Sequence, residues 1–484
     1  MIKDASYWAE QIKEGNISPL ELLDLTKKKY DADQYNAIVT YDYEAAQEKL
    51  KNWKYQGRLF DGLPIATKAL GQDIKGHLAT AASRLLRNHR ANTTDNFVSS
   101  LEGVGFIPFG QTNSPEFGFK NITDSKLYGD CLNVWNKNYY SGGSSGGAAT
   151  AVASGLVPLA SASDGGGSIR IPASWSSLIG LKPSRGRIIT GPAGYRGWQG
   201  ASVNLAETIS VRDTARFLLA TQASQEANPF SRAHLFSAES LLNLKNPGKL
   251  RIAFTSQSPV DTPVTDDAKK ALNKTVKFLE EMGHEVYEVD YPLDARPLIE
   301  DYYMMNAAET FTMFTNMGAD AQTVYDECEL MTYVLYEYGR NVSIPDYSNS
   351  FNSWDQATNI FMEKIFSNFD LFLTPTTAST ASKIGEELIS DDIYERMENI
   401  SQASLVEQKE VTSLMFEKSL EKTPYPFVVN LTGQAAISLP VYLSEFGLPL
   451  GVQFMGPKDS ELLLLLLAKQ FEDQGRLILP DYYK

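Results

Sequence analysis

The chain has 484 residues, a length that accommodates about three average domains. Its 43% hydrophobic and 21% charged residues are those of an ordinary globular protein. Lys and Arg number 44 against 59 Asp and Glu, a net charge of −15, and no basic cluster offsets it, so nucleic acid and membranes are excluded as expected partners. The two cysteines, Cys131 and Cys328, give neither a disulfide framework nor a zinc-ligand spacing. Met1-Ile2-Lys3-Asp4 leads straight into a polar amphipathic stretch, and the aliphatic run Leu462 to Leu467 is far short of a membrane span. The expected location is the cytoplasm.

The first elements read as helices. Ser18-Pro19-Leu20-Glu21 is a capping box with proline at the first helical position. Tyr43 to Trp53 carries a second helical pattern through Ala45, Ala46 and Leu50. The run Leu63 to Leu70 is apolar except for Thr67 and Lys68. In a central strand Lys68 would bury an ammonium, which is costly without a partner. On the residues alone, a solvated edge strand is the competing reading.

Phe106 to Phe109 reads as a strand, followed by Gly110-Gln111-Thr112-Asn113-Ser114-Pro115-Glu116-Phe117, and Asn133-Val134-Trp135-Asn136 comes before the first glycine cluster. From Tyr139 to Arg187 the chain is poor in charge and crowded with Gly, Ser and Ala. It contains Gly142-Gly143-Ser144-Ser145-Gly146-Gly147, a small-residue helix, Asp164-Gly165-Gly166-Gly167-Ser168-Ile169-Arg170 and Gly180-Leu181-Lys182-Pro183. A flexible linker has similar composition. Linkers do not embed Leu156-Val157-Pro158-Leu159-Ala160 or Ile169-Arg170-Ile171-Pro172.

Farther on, Leu250 to Phe254 predicts a strand. Thr265 caps a helix with Ala268, Leu272, Val276, Leu279 and Met282 on one face and Gly283 as its stop, and Val286 to Val289 predicts the next strand. This βαβ pattern implies a parallel or mixed sheet covered by helices. Met304 to Gly339, rich in Met, Phe and Tyr, reads as helical packing that can also wall an apolar pocket.

The glycine–serine stretch resembles the signature of the amidase signature family of serine hydrolases. It covers about a tenth of the chain, and weaker pieces such as Asp370 to Thr376, Asn430 to Pro440 and Gly447 to Gln453 resemble the family's later segments. The run Asp164 to Trp175 is similar to the branch containing 6-aminohexanoate cyclic dimer hydrolase. In the glutaminase (A) subunit of tRNA-dependent amidotransferases the motif usually reads I-R-Q-P, whereas Ile171 stands here in place of Gln. The resemblance implies one α/β domain over residues 1–484, a mixed sheet with helices on both faces. Its parts would be a helical arm (1–60), a signature core (61–200) and pocket-forming elements (201–484).

The same resemblance implies a Ser-cisSer-Lys triad: Ser168 as nucleophile, Ser144 after a cis Gly143–Ser144 peptide as bridge, and Lys68 as base. Many members follow the lysine with Asp, where Ala69 stands here, and Gln111 replaces a usual Lys. Successive glycines let backbone N–H groups converge on one anion, so Gly165, Gly166, Gly167 and Ser168 are oxyanion-hole candidates. Ser145 is expected to bond the lysine or the loop, Asp164 and Arg170 to brace the turn, and Asn121 either to reach substrate or to cap a turn. The expected reaction is hydrolysis of a carbon–nitrogen amide bond in a small molecule through an acyl-enzyme, with no cofactor and no metal. A glutaminase subunit and a catalytically inactive scaffold are the alternatives.

Two rival motifs also occur. Gly142 to Gly146 fits the G-x-S-x-G nucleophile elbow, which requires an apolar strand before it, and Asn136 to Tyr140 is polar. None of His77, His89, His234 and His284 sits in a recognisable triad setting. Ser419-Leu420-Glu421-Lys422 matches S-x-x-K within a charged helix.

Overall fold

A computed structural model of the chain describes residues 2–484. In chain order the strands are β1 (Ile38–Tyr41), β2 (Pro64–Lys68), β3 (Ile107–Thr112), β4 (Asp124–Ser125), β5 (Gly129–Asp130), β6 (Ala160–Asp164), β7 (Ile179–Lys182), β8 (Val203–Thr208), β9 (Arg251–Phe254), β10 (Glu285–Glu288), β11 (Leu371–Pro375), β12 (Ala435–Leu443) and β13 (Pro449–Gly456). Strands β4 and β5 pair apart from the rest. The other eleven form one sheet in the order β1-β3-β2-β6-β8-β7-β12-β13-β11-β9-β10.

The sheet is mixed. Strand β2 runs parallel to β3 and β6, β9 runs parallel to β10 and β11, and the strands from β6 to β13 pair antiparallel. The β9–helix–β10 unit follows the sequence pattern: Thr265 caps the helix Asp266–Glu281, and Gly283 takes φ +88° just after it. Ser18 and Glu21 close the expected capping box on the helix Pro19–Asp31.

Both faces of the sheet are covered because strand side chains alternate between them. On β11, Leu371 and Leu373 enter one core and Phe372 the other. On β12, Ile437 and Leu439 face the first core and Ala436 the second. The first core takes in the helices Gly146–Ala153, Val211–Thr221, Asp266–Glu281 and Glu461–Asp473. The second takes in Arg296–Met317, Leu330–Gly339, Ile344–Phe361, Leu405–Lys422 and Pro426–Thr432.

Strand β2 lies inside the sheet, so the edge-strand reading of Lys68 fails: all five residues of β2 are buried. Strand β6 delivers the loop Gly165–Gly167 from the middle of the sheet, with its last residue, Asp164, paired to Val203 of β8. Among the described residues, no helix is long and apolar enough to cross a membrane.

Candidate active site

The site is assembled from two chain segments that depart from regular structure. One is Gly142–Ser145, which enters the helix Gly146–Ala153 with Ser145 at its N-cap, and the Gly143–Ser144 peptide is cis. Only glycine fits at 143, because a Cβ there would lie 2.5 Å from the Ile122 carbonyl oxygen. No strand leads into this loop: Tyr139 and Tyr140 form only isolated bridges. The nucleophile-elbow geometry is therefore absent at Ser144.

Lys68 ends β2 and is fully buried. Its Nζ donates to Ser144 Oγ at 2.7 Å and to Ser163 Oγ at 3.0 Å. Among the described residues it makes no ion pair. Burial lowers the Lys68 ammonium to about 7, with the charges of Asp164 and Glu207 offsetting only part of that fall. A base that titrates near pH 7 in contact with a hydroxyl is the arrangement general-base catalysis needs.

The second segment is Gly165–Ser168, and Asp164 organises it. The carboxylate of Asp164 accepts from the N–H of Gly167 at 2.8 Å, of Ile169 at 3.2 Å and of Arg170 at 3.4 Å. It also takes the Arg170 guanidinium at 2.9 Å through both Nε and a terminal nitrogen, and Asn430 Nδ2 at 2.8 Å. Burial alone would raise the Asp164 carboxyl, but Arg170 and Asn430 hold it well below the usual carboxylate range. Arg170 in turn donates to Gln453 and Asn430, both at 2.6 Å. Asp164 and Arg170 thus form a buried ion pair beside the glycine loop.

This bonding narrows the oxyanion-hole candidates. The Gly167 N–H is spent on Asp164, whereas those of Gly165, Gly166 and Ser168 meet no acceptor among the described residues. Ser145 makes no hydrogen bond to Lys68; its Oγ donates to the Ser163 carbonyl at 3.1 Å and accepts from the Ser163 N–H at 3.3 Å. Asn121 Nδ2 donates to the Ser419 carbonyl at 2.9 Å and to Thr423 Oγ1 at 3.0 Å, capping the end of the helix Leu405–Lys422. The residue also lines the larger of two cavities that meet at Ser168.

That larger cavity, about 350 Å³, is walled by Tyr302, Tyr303, Met397, Met415, Phe416 and Phe427 among others. The segment Met304–Gly339 contributes Asn306, Met331 and Leu335, so it both packs and walls the pocket. The second cavity, about 320 Å³, is lined by Ser144, Ser163, Gly165, Ser168, Asp73 and Asn204. Ser168, partly exposed, is common to both.

Several residues of the site escaped the sequence reading. Ser163 contacts Lys68; its signal was the Ser161-Ala162-Ser163 alternation that places two hydroxyls on one face of β6. Gln72 accepts from the Lys68 N–H at 2.8 Å and from Ser161 Oγ at 2.6 Å. Glu207 on β8 is fully buried, neither carboxyl oxygen has a hydrogen-bond partner among the described residues, and burial, reinforced by Asp164, pushes its carboxyl well above the usual range. The histidines stay out of the site: His284 accepts from Leu250 N–H at 3.1 Å and pairs with Gln470 at 2.8 Å. The S-x-x-K serine, Ser419, does line the cavity, but its lysine, Lys422, forms a surface ion pair with Glu386. Both cysteines are free and buried. Among the described residues, no three His, Cys, Asp or Glu side chains form a metal-holding group.

The sequence model of the amidase family matches residues 21–465. The chain belongs to the amidase signature family of amide hydrolases. It is 36% identical over 476 residues to a lipoamidase of Enterococcus faecalis, covering 98% of this chain and 63% of that protein. The chain thus spans less than two thirds of that relative's length. It is 28% identical over 493 residues to the 6-aminohexanoate-cyclic-dimer hydrolase of Paenarthrobacter ureafaciens, covering 97% of this chain and 94% of the relative. The solved structure of a 6-aminohexanoate cyclic dimer hydrolase with substrate superposes with a TM-score of 0.87 at 27% identity, covering 100% of this chain and 99% of that one. The expected branch resemblance is thus present, and the lipoamidase shows the higher sequence identity of the two relatives.

Proposed function

We propose that this amidase cleaves its amide by acyl transfer, with Ser168 as nucleophile, Ser144 as proton relay and Lys68 as base. The observation that carries the reading is the 2.7 Å contact from a fully buried, ion-pair-free Lys68 to Ser144 Oγ. In this scheme Ser168 Oγ attacks the amide carbon while its proton passes to Ser144 and the Ser144 proton passes to Lys68. The carbonyl electron pair moves onto oxygen, which the N–H groups of Gly165, Gly166 and Ser168 stabilise. The tetrahedral centre collapses, the proton returns from Lys68 through Ser144 to the departing nitrogen, and the amine leaves. Water then attacks the Ser168 ester by the same relay, releasing acid and restoring the serine.

The two cavities divide the substrate at Ser168. The larger one suits an extended apolar group on one side of the scissile amide. Asn121, which lines that cavity, is the proposed polar contact there. The second cavity, lined by Asp73, Ser144 and Asn204, serves the smaller, more polar side. A lipoamidase and a 6-aminohexanoate-cyclic-dimer hydrolase among the relatives make a lipoyl amide and that cyclic dimer the first compounds to test.

The experiment is hydrolysis of a series of linear amides of increasing alkyl length, together with those two compounds. The expected result is a kcat/KM that climbs with apolar length and with pH through about 7. A preference for acetamide over every longer amide would sink the cavity assignment. Activity falling as pH rises through neutrality would sink Lys68 as base.

A further inference from the structure

Tyr302, on the helix Arg296–Met317, lines the larger cavity and bonds the glycine loop. Its hydroxyl donates to the Gly165 carbonyl oxygen at 3.0 Å. It lies so close to the next residue that a Cβ at Gly166 would be 2.9 Å from it. The ring is buried and held edge-on to Trp198, with centroids 5.9 Å apart at 74°. Trp198 also covers the loop, since a Cβ at Gly165 would lie 2.5 Å from its ring.

The consequence follows from peptide geometry. A trans peptide is planar, with its C=O and N–H pointing in opposite directions. Holding the Gly165 carbonyl toward Tyr302 therefore turns the Gly166 N–H away from it. Among the described residues, Tyr302 is the only hydrogen-bond donor to that carbonyl. Asp164 secures the other side of the loop by taking the N–H of Gly167, Ile169 and Arg170. With three adjacent glycines the backbone between these anchors has unusual freedom, so an oriented donor there requires something to fix it.

We propose that Tyr302 is a positioning residue that sets the Gly165–Gly166 peptide so that the Gly166 N–H faces the developing oxyanion, an inference that rests on the acyl-transfer reading above. Burial pushes the Tyr302 phenol above its usual range, so the hydroxyl remains a donor throughout the working pH range. The ring walls the cavity and the hydroxyl orients the loop, two duties that one substitution separates.

The test is Tyr302→Phe, which keeps the ring and removes the hydroxyl. Full removal of an oxyanion donor costs about 10²–10³ in kcat, so loss of its alignment is expected to cost about 10- to 100-fold with KM nearly unchanged. Affinity for a trifluoromethyl ketone that adds to Ser168 should fall in parallel with kcat. Affinity for the intact amide, measured in the Ser168→Ala background, should not change. A role confined to packing would lower the melting midpoint without this split between transition-state mimic and substrate.

Gly166→Ala supplies a second route, because the added methyl displaces the hydroxyl. It should show the same loss in kcat, and the double variant should lose less than the product of the two single losses. Unchanged kcat in Tyr302→Phe, a raised KM with kcat intact, or losses that simply multiply would each overturn the assignment. Wild-type turnover in Ser168→Ala would instead overturn acyl transfer on that serine, so the two failures are distinguishable.

Discussion

Replacing Lys68 with Met should abolish activity and yet stabilise the protein at neutral pH. Burial takes the ammonium from 10.5 to about 7, which corresponds to roughly 5 kcal/mol at about 1.4 kcal/mol per pH unit. Between those two values the unfolded chain holds a proton that the folded chain has released, so wild-type stability rises with pH across that window. Below about 7 the full cost of Lys68 is present. Methionine removes that cost and forfeits the bonds to Ser144 and Ser163, about 1 kcal/mol each. The net gain is therefore about 2–3 kcal/mol near pH 7, fading to nothing or reversing near pH 10. Urea denaturation of both proteins at several pH values reads this directly. A variant less stable than wild type at neutral pH, or a difference that does not vary with pH, would show that the buried Lys68 ammonium does not destabilise the fold.

Asp164→Ala leaves the buried Arg170 charge without its carboxylate and frees three backbone N–H groups. A loss of about 3–5 kcal/mol in denaturant unfolding is expected, and a loss under about 1 kcal/mol would show that Asn430 and Gln453 suffice to hold the arginine. Activity should survive EDTA and exhaustive dialysis, because the proposed chemistry uses only side chains and backbone. A loss that a divalent metal restores would point to another reaction class.

Local and periodic signals carried much of the fold. The capping box at Ser18 and the Thr265-capped helix between two strands are short-range patterns, and each formed as read. The placement of Lys68 was different. Whether β2 lies at an edge or in the interior depends on pairing with β3 and β6, and no local pattern encodes those distant partners. On residues alone the edge reading was the natural one, and the family resemblance corrected it.

The candidate site divides in the same way. Ser144, Ser168 and the glycines sit in one dense stretch, so their composition marks them. The spending of the Gly167 N–H on Asp164 is a matter of loop geometry, which spacing does not reveal. Tyr302 lies 137 residues from the carbonyl it holds, just ahead of the segment Met304 to Gly339 whose Met, Phe and Tyr content reads as packing. Glu207 is hidden for a related reason: a lone glutamate in a short strand normally faces water, and here it is fully buried on a strand interior to the sheet.

In the proposed mechanism Ser168, and not Ser144, carries the acyl group. The two serines stand 24 residues apart in glycine clusters, and only Ser168 lines both cavities. The direct measurement is peptide mapping of the wild-type protein after reaction with a fluorophosphonate probe. The expected adduct is on Ser168, with no labelling of Ser168→Ala and slower labelling at the same residue in Ser144→Ala. An adduct on Ser144 in the wild-type protein would contradict it.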